Sequence, residues 1–317
     1  MRQAGRVTSL GADHGGDDRS RVTALLRSPP PAVAIAWVSR VMNGAFIEHC
    51  EVLRGGSSSA MHLLTVRHPD DRIQRIVLRR YVLPAEAHEP EVAAREAAAL
   101  LLAEQIQLPT PTLLGSDRTG AEAGVPTVLM SELDGEPVWE PRHRQRWCDE
   151  LAGALVAIHD VALPTAGVVQ AYAPFQQSSY EPPAWARDPT VWERAIAISH
   201  EPTIEAPVRF IHRDFHPGNV LWSKGRITGV VDWQHASIGP AVIDVGHNRL
   251  NLFFYDAALA ELFTTTWERL TGADYHPWAD IVAIIGALDQ LRTQPPRQRA
   301  RHAIDTAVAT AVASIDG

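Results

Sequence analysis

Apolar and polar residues change their rhythm along this chain. Short apolar runs of strand length come first, at 46–53, 61–66, 73–82, 112–115 and 125–130. Gly, Ser and Pro bound them, as expected of turns. One helical pattern interrupts them at 89–105, where Val92, Glu96, Ala99, Leu100 and Ala103 share a stripe at three- and four-residue spacing. Ahead of the strands, Ser28-Pro29-Pro30-Pro31 marks a helix start and predicts a helix over 32–42. Residues 1–27 show little periodicity and read as a mobile tail or a short helix. From 142 onward the period is helical, with helices expected over 142–161, 189–198, 241–252, 257–270, 277–288 and 303–313. The class is therefore α+β: five strands with a helix, then a mainly helical part.

One polar turn breaks the helical part. Phe210-Ile211 lead into His212-Arg213-Asp214-Phe215-His216-Pro217-Gly218-Asn219, and Val220-Leu221 follow at once. His-Arg-Asp-x-x-x-x-Asn is the pattern of a kinase catalytic loop. A hydroxyl nucleophile needs a carboxylate to orient it and take its proton, and an amide oxygen five residues on can curl back to a metal. Downstream, Gly229-Val230-Val231 end a strand and Asp232 sits at its exit. Val220-Leu221-Trp222 and 227–231 read as a hairpin around a Lys224-Gly225 turn. Such a hairpin sets Asn219 and Asp232 side by side at its open end, a plausible metal clamp.

Those residues, with Ile238-Gly239-Pro240-Ala241-Val242-Ile243-Asp244-Val245-Gly246, resemble the aminoglycoside phosphotransferase family over roughly residues 45 to 290. The resemblance implies a two-lobed protein-kinase-like fold with a small five-stranded N-lobe at 28–131 and a mainly helical C-lobe at 132–317. It implies ATP and Mg²⁺ as cofactors, and γ-phosphoryl transfer to a hydroxyl of a small molecule. Asp214 is then the catalytic carboxylate, and Asn219 and Asp232 hold the metal. His212 and Asp244 support the loop, while His216 stays open between loop support and substrate contact. The hinge between lobes falls at Ser131-Glu132-Leu133-Asp134-Gly135, with Glu132 beside the adenine, and the stretch 162–205 contributes to the acceptor pocket. Aromatics there, including Tyr172, Phe175, Trp185 and Trp192, line it or form a satellite core.

Residues 54–60 carry Gly55, Gly56 and Ser57, whose backbone N–H groups suit phosphate contact; an ordinary Gly-rich hairpin turn is the other reading. In the third strand Val77 and Arg79 share a face opposite Ile76 and Leu78. Arg79 stands where kinases place a Lys, with Arg80 the alternative phosphate ligand. Arg keeps the charge but is bulkier and forked. Glu96, in the middle of an apolar stripe, needs a partner, and Arg79 is the candidate; the other reading places Glu96 at the stripe's edge in solvent. His159 reads as a capping or core histidine. Two rival functions remain: a non-catalytic nucleotide-binding relative, and a metal-dependent hydrolase built on His212, Asp214 and His216.

Composition narrows the picture. A net charge of −8 disfavours nucleic acid or an anionic membrane as partner and suits a cationic acceptor. Cys50 and Cys148 make no disulfide framework. No apolar run reaches membrane-spanning length and no signal-peptide layout is present, so the cytoplasm is the expected location. Neither Asp-Phe-Gly nor Ala-Pro-Glu occurs, which argues against a regulated protein kinase.

Overall fold

The computed structural model describes residues 16–53, 59–83, 91–163, 169–201 and 204–317. The chain divides into two compact units, one of residues 1–105 and 110–133, the other of 106–109 and 134–317.

The first unit opens with α1 (Gly16–Leu26), a helix within the segment read as a tail or a short helix, and α2 (Ala32–Val41). Five antiparallel strands follow: β1 (Phe46–Val52), β2 (Ala60–Arg67), β3 (Ile73–Arg80), β4 (Leu113–Asp117) and β5 (Thr127–Ser131), in the order β1-β2-β3-β5-β4. Helix α3 (Val92–Ala103) lies between β3 and β4 in sequence. The two-residue period of β3 divides its side chains between two faces. Ile76 and Leu78 join Trp37 and Val38 of α2, with Leu64, Val66 and Leu129, in one apolar cluster. Val77 and Arg79 face the other way. The whole expected α3 stripe is buried, Glu96 included. Arg80 shares the α2 side, where its Nη2 donates to the Ser28 carbonyl at 2.7 Å.

The second unit contains β6 (Glu136–Pro137), α4 (Arg144–His159), α5 (Pro189–Ser199), β7 (Val208–Ile211), β8 (Val220–Ser223), β9 (Arg226–Val230) and β10 (Ser237–Pro240). Then come α6 (Val242–Phe253), α7 (Ala257–Thr271), α8 (Trp278–Ile285), α9 (Leu288–Thr293) and α10 (Gln298–Asp316). Strands β6, β8 and β9 form one small antiparallel sheet and β7 with β10 another. In the β8–β9 turn Lys224 has φ +51° and Gly225 φ +73°, the paired left-handed residues of a tight hairpin.

Two helices differ from the sequence expectation. The pattern at 277–288 divides into α8 and α9 at Gly286, whose carbonyl accepts the Gln177 side-chain amide at 2.9 Å. Glycine is a poor helix residue, and that distant amide satisfies the freed backbone group. The last helix is longer than the expected 303–313, chiefly because Gln298, Arg299, Ala300 and Arg301 ahead of the Ile304, Val308 and Val312 stripe are polar or small residues that favour helix. No helix among the described residues is long and apolar enough to cross a membrane.

Candidate active site

Strand β7 delivers the polar turn and β10 returns beside it, with Ser237 opposite Ile211. Phe210 stacks on Trp233 at 5.7 Å between ring centroids, and His212 tilts over the same indole at 4.5 Å. The Trp233 Nε1–H donates to the Val230 carbonyl at 2.9 Å. A fully buried indole thus stands directly after Asp232 and joins β7 to β9.

The start of the turn is held by Asp244 of α6. Its Oδ2 accepts the His212 backbone N–H at 2.9 Å and its Oδ1 the Arg213 N–H at 2.6 Å. Two successive N–H groups converge on one anion only in a nest-like backbone, and Arg213 has φ +67°. A left-handed non-glycine residue costs roughly 1–3 kcal/mol and persists where its surroundings impose it. Here the Arg213 guanidinium adds to the restraint, lying 3.8 Å over the Phe175 ring centroid and donating to the Ala173 carbonyl. His159, the last residue of α4, donates to Asp244 Oδ2 at 2.9 Å.

His212 is used up by the backbone. Its Nδ1 accepts the Asp214 N–H at 3.3 Å, and its Nε2 donates to the Val231 carbonyl at 2.9 Å. A metal centre built on His212, Asp214 and His216 is thereby disfavoured, since one of its three ligands has both nitrogens engaged. Among the described residues no three His, Cys, Asp or Glu side chains gather as a metal-binding group.

The Asp214 carboxylate is bracketed. Its Oδ2 accepts the Asn219 amide at 3.2 Å, and the same amide donates to the Asp214 carbonyl at 2.9 Å. On the other side His247 Nε2 lies 2.9 Å from Oδ1, and His216 Nε2 lies 3.8 Å from it. Burial pushes this carboxyl up. The contact with His247 and the fields of His216, His247 and His235 outweigh that effect and hold it well below the usual carboxylate range. His216 is pushed down to about 4 by burial and by His247 and His212, against the pull of Asp214 and Asp232. Its Nδ1 accepts the Gly218 N–H at 3.0 Å, and its ring stacks on Trp139 at 5.7 Å. Gly218 has no Cβ because one would strike both rings.

Asn219 and Asp232 flank the open end of the β8–β9 hairpin, where the Val231 N–H donates to the Asn219 carbonyl at 2.9 Å. Asp232 sits at φ +69°. Because the Asn219 amide nitrogen is turned to Asp214, its oxygen faces away from that carboxylate. An amide oxygen and a carboxylate are hard donors of the kind Mg²⁺ takes together with substrate phosphates. The residues present fit that ion.

In the first unit Arg79 Nη1 lies 2.6 Å from Glu96 Oε1, both side chains buried. Arg79 Nε donates to Ser59 Oγ at 2.8 Å, and the Tyr81 hydroxyl donates to Glu96 Oε2 at 2.7 Å. Glu132 pairs with Arg75 at 2.7 Å. Gly55, Gly56 and Ser57 lie outside the described residues.

Sequence reasoning missed His247 as a neighbour of Asp214 and His159 as a partner of Asp244. The one signal for His247 was its place three residues after Asp244, on the same helix face. In the stretch 162–205, Tyr172 and Phe175 enclose Arg213, while the Trp192 indole donates to Asp305 of α10 at 2.9 Å and packs edge-on with Trp185.

Residues 49–281, well over half of the chain, match the sequence model of the phosphotransferase enzyme family known as APH. The chain belongs to that family, and so is a phosphotransferase, a transferase of the kinase class. A homoserine kinase of Rhizobium meliloti is 28% identical over 139 residues, which span 41% of this chain and 41% of that enzyme. Among solved structures, aminoglycoside phosphotransferase APH(4)-Ia in complex with ADP and hygromycin B superposes with a TM-score of 0.57 at 17% identity, covering 90% of this chain and 100% of that one. The macrolide 2′-phosphotransferase MphH of Brachybacterium faecium superposes with a TM-score of 0.55 at 17% identity, covering 86% and 97%. These likenesses establish the two-lobed α+β kinase-like fold.

Proposed function

We propose that the protein is an ATP- and Mg²⁺-dependent kinase that moves the γ-phosphoryl group to a hydroxyl of a small molecule, of the aminoglycoside type or a related hydroxylated metabolite. The observation that supports this reading is the Asp214 carboxylate in the turn, with Asn219 bonded to its Oδ2, His247 Nε2 2.9 Å from its Oδ1, and Asp232 at the exit of the adjoining hairpin. Asp214 orients the acceptor hydroxyl and takes its proton as the new O–P bond forms and the bond from the γ-phosphorus to the bridging oxygen breaks, ADP leaving with that electron pair. A carboxylate held so far below the usual range is a weak base. Its larger contribution is therefore orientation, which suits a transition state with little need for early proton removal. Asn219 and Asp232 would hold Mg²⁺, which neutralises charge on the phosphate oxygens. Arg79, fixed by Glu96 and Ser59, would meet the nucleotide phosphates, with Gly55, Gly56 and Ser57 covering them and the backbone around Glu132 meeting the adenine.

The acceptor class rests on three supports. The family relatives act on hydroxylated small molecules, as the names homoserine kinase and macrolide 2′-phosphotransferase state. The net charge of −8 suits a cationic acceptor. Beside His216, Trp139 and Tyr255 stack at 4.3 Å along a cavity of about 350 Å³ lined also by Glu140, Arg142 and the Arg144–Asp256 ion pair, flat faces and polar groups that suit a sugar.

Thermal-shift titration with Mg·ATP tests the division of labour. Asp214→Ala is expected to keep the ATP-induced rise in Tm and lose turnover, whereas Asp232→Ala loses the Mg²⁺-dependent part of that rise. Loss of both signals in Asp214→Ala with a folded protein would contradict the assignment.

A further inference from the structure

Helix α6 carries more than the loop-stiffening Asp244. One turn along the same face stands His247, whose Nε2 is shielded from water, makes no hydrogen bond of regular geometry, and lies in ion-pair contact 2.9 Å from Asp214 Oδ1. The helix is a fixed bar. A Cβ on Gly246 would collide with the Ala279 carbonyl of α8, so α6 and α8 pack at backbone distance. Arg249, further along α6, pairs with Asp280 of α8 at 2.9 Å inside the same interface. Asp244 therefore sets the backbone of His212 and Arg213, while His247 reaches the carboxylate two residues on. Both are borne by one rigid element, as a preorganised site requires.

We infer that His247 is a positioning residue of phosphoryl transfer, which holds the Asp214 carboxylate in the orientation that faces the acceptor hydroxyl. The inference rests on Asp214 being the carboxylate that receives that hydroxyl. Of the groups around Asp214, Asn219 restrains Oδ2 alone, and His216 stands too far at 3.8 Å for a hydrogen bond. Without His247, Oδ1 has no fixed polar neighbour at bonding distance among the described contacts, and the carboxylate turns about its last bond. Misplacement of a catalytic group by about 1 Å costs on the order of 100-fold in rate.

The test compares His247→Gln, His247→Asn and His247→Ala with the wild type and with Asp214→Ala. Gln places an N–H near the Nε2 position, whereas Asn is equally polar but too short. Steady-state ADP release from Mg·ATP is measured with water, hygromycin B and L-homoserine as acceptors, alongside Tm. The expected result is a kcat loss of roughly 10- to 100-fold in His247→Asn and His247→Ala, a KM for ATP within about twofold of wild type, and recovery of most of kcat in His247→Gln. A kcat within about twofold of wild type in folded His247→Asn overturns the inference, and so does a His247→Gln no better than His247→Asn. A loss confined to the KM for ATP also overturns it. If the folded wild type neither releases ADP beyond Asp214→Ala nor gains Tm with Mg·ATP, the kinase reading itself fails, and that outcome is distinct from all the others.

Discussion

Asp244 offers the sharpest stability prediction. Its buried carboxylate accepts three hydrogen bonds, from the backbone N–H of His212 at 2.9 Å, that of Arg213 at 2.6 Å, and His159 Nε2 at 2.9 Å. Asp244→Asn keeps one acceptor oxygen and turns the other into a donor. In the better amide orientation the oxygen stays with His212 and His159, and the new NH₂ faces the Arg213 N–H. A hydrogen bond to a charged group is worth about 1.5–3 kcal/mol, and an orphaned buried donor costs about 1–3 kcal/mol more. The expected destabilisation is therefore about 3–5 kcal/mol, against a typical total of roughly 5–15 kcal/mol. Part of the loss is offset when Arg213, at φ +67°, relaxes from the left-handed region. Asp244→Ala, which abandons all three donors, should cost more. His159→Gln, which leaves both backbone donors satisfied, should cost only about 1–2 kcal/mol. Urea unfolding followed by Trp fluorescence, with the m-value compared across variants, reads this order. A change below about 1 kcal/mol in Asp244→Asn, or His159→Gln matching Asp244→Ala, would refute the argument that this carboxylate holds the turn.

Glu96→Ala should destabilise the first unit by about 3–5 kcal/mol because it leaves the buried Arg79 guanidinium without its carboxylate, whereas replacing both Arg79 and Glu96 by apolar residues should recover much of that loss. Differential scanning calorimetry measures both, and equal Tm values for the single variant and wild type would contradict the pairing. Acid should unfold the protein through two histidines. His62 is pushed down to about 4 by burial and then by Arg80, and His216 to about 4 by burial and its histidine neighbours. A folded-state pKa below the unfolded value of about 6.5 means that the unfolded chain binds the proton first, so stability is full above about 6.5 and falls between there and 4. Each histidine contributes up to about 3 kcal/mol of that loss. Urea midpoints at stepped pH should show the decline, and His62→Phe should flatten part of it; a midpoint constant from pH 7 to 4.5 would contradict the burial of neutral imidazoles.

How much of this was legible in the sequence follows from where each partner lies. The strands, the hairpin and the proposed site residues Asp214, Asn219 and Asp232 rest on short-range signals: alternation, a Lys-Gly turn, and a fixed spacing around a polar break. Strand alternation also separated Arg79 from Arg80, and the two side chains do leave β3 on opposite faces, one to Glu96 and the other to the Ser28 carbonyl. What escaped depends on tertiary partners. His247 meets Asp214 from another element, and no spacing rule links them. His159 lies on α4 and meets Asp244 on α6, so its capping or core reading named a class of role without the partner. The break at Gly286 is stabilised by Gln177, far away along the chain. Glycine alone is a weak signal to end a helix, and only the distant amide makes the break favourable.

The most direct test of the central claim is transfer of labelled phosphate from γ-labelled ATP, with Mg²⁺, to a panel of aminoglycosides, macrolides and amino alcohols, with Asp214→Ala as the blank. The account predicts label on a hydroxyl of one acceptor class, absent in the variant and after Mg²⁺ is chelated. Label transferred equally by Asp214→Ala, or neither transfer nor ATP binding by the folded wild type, would contradict it.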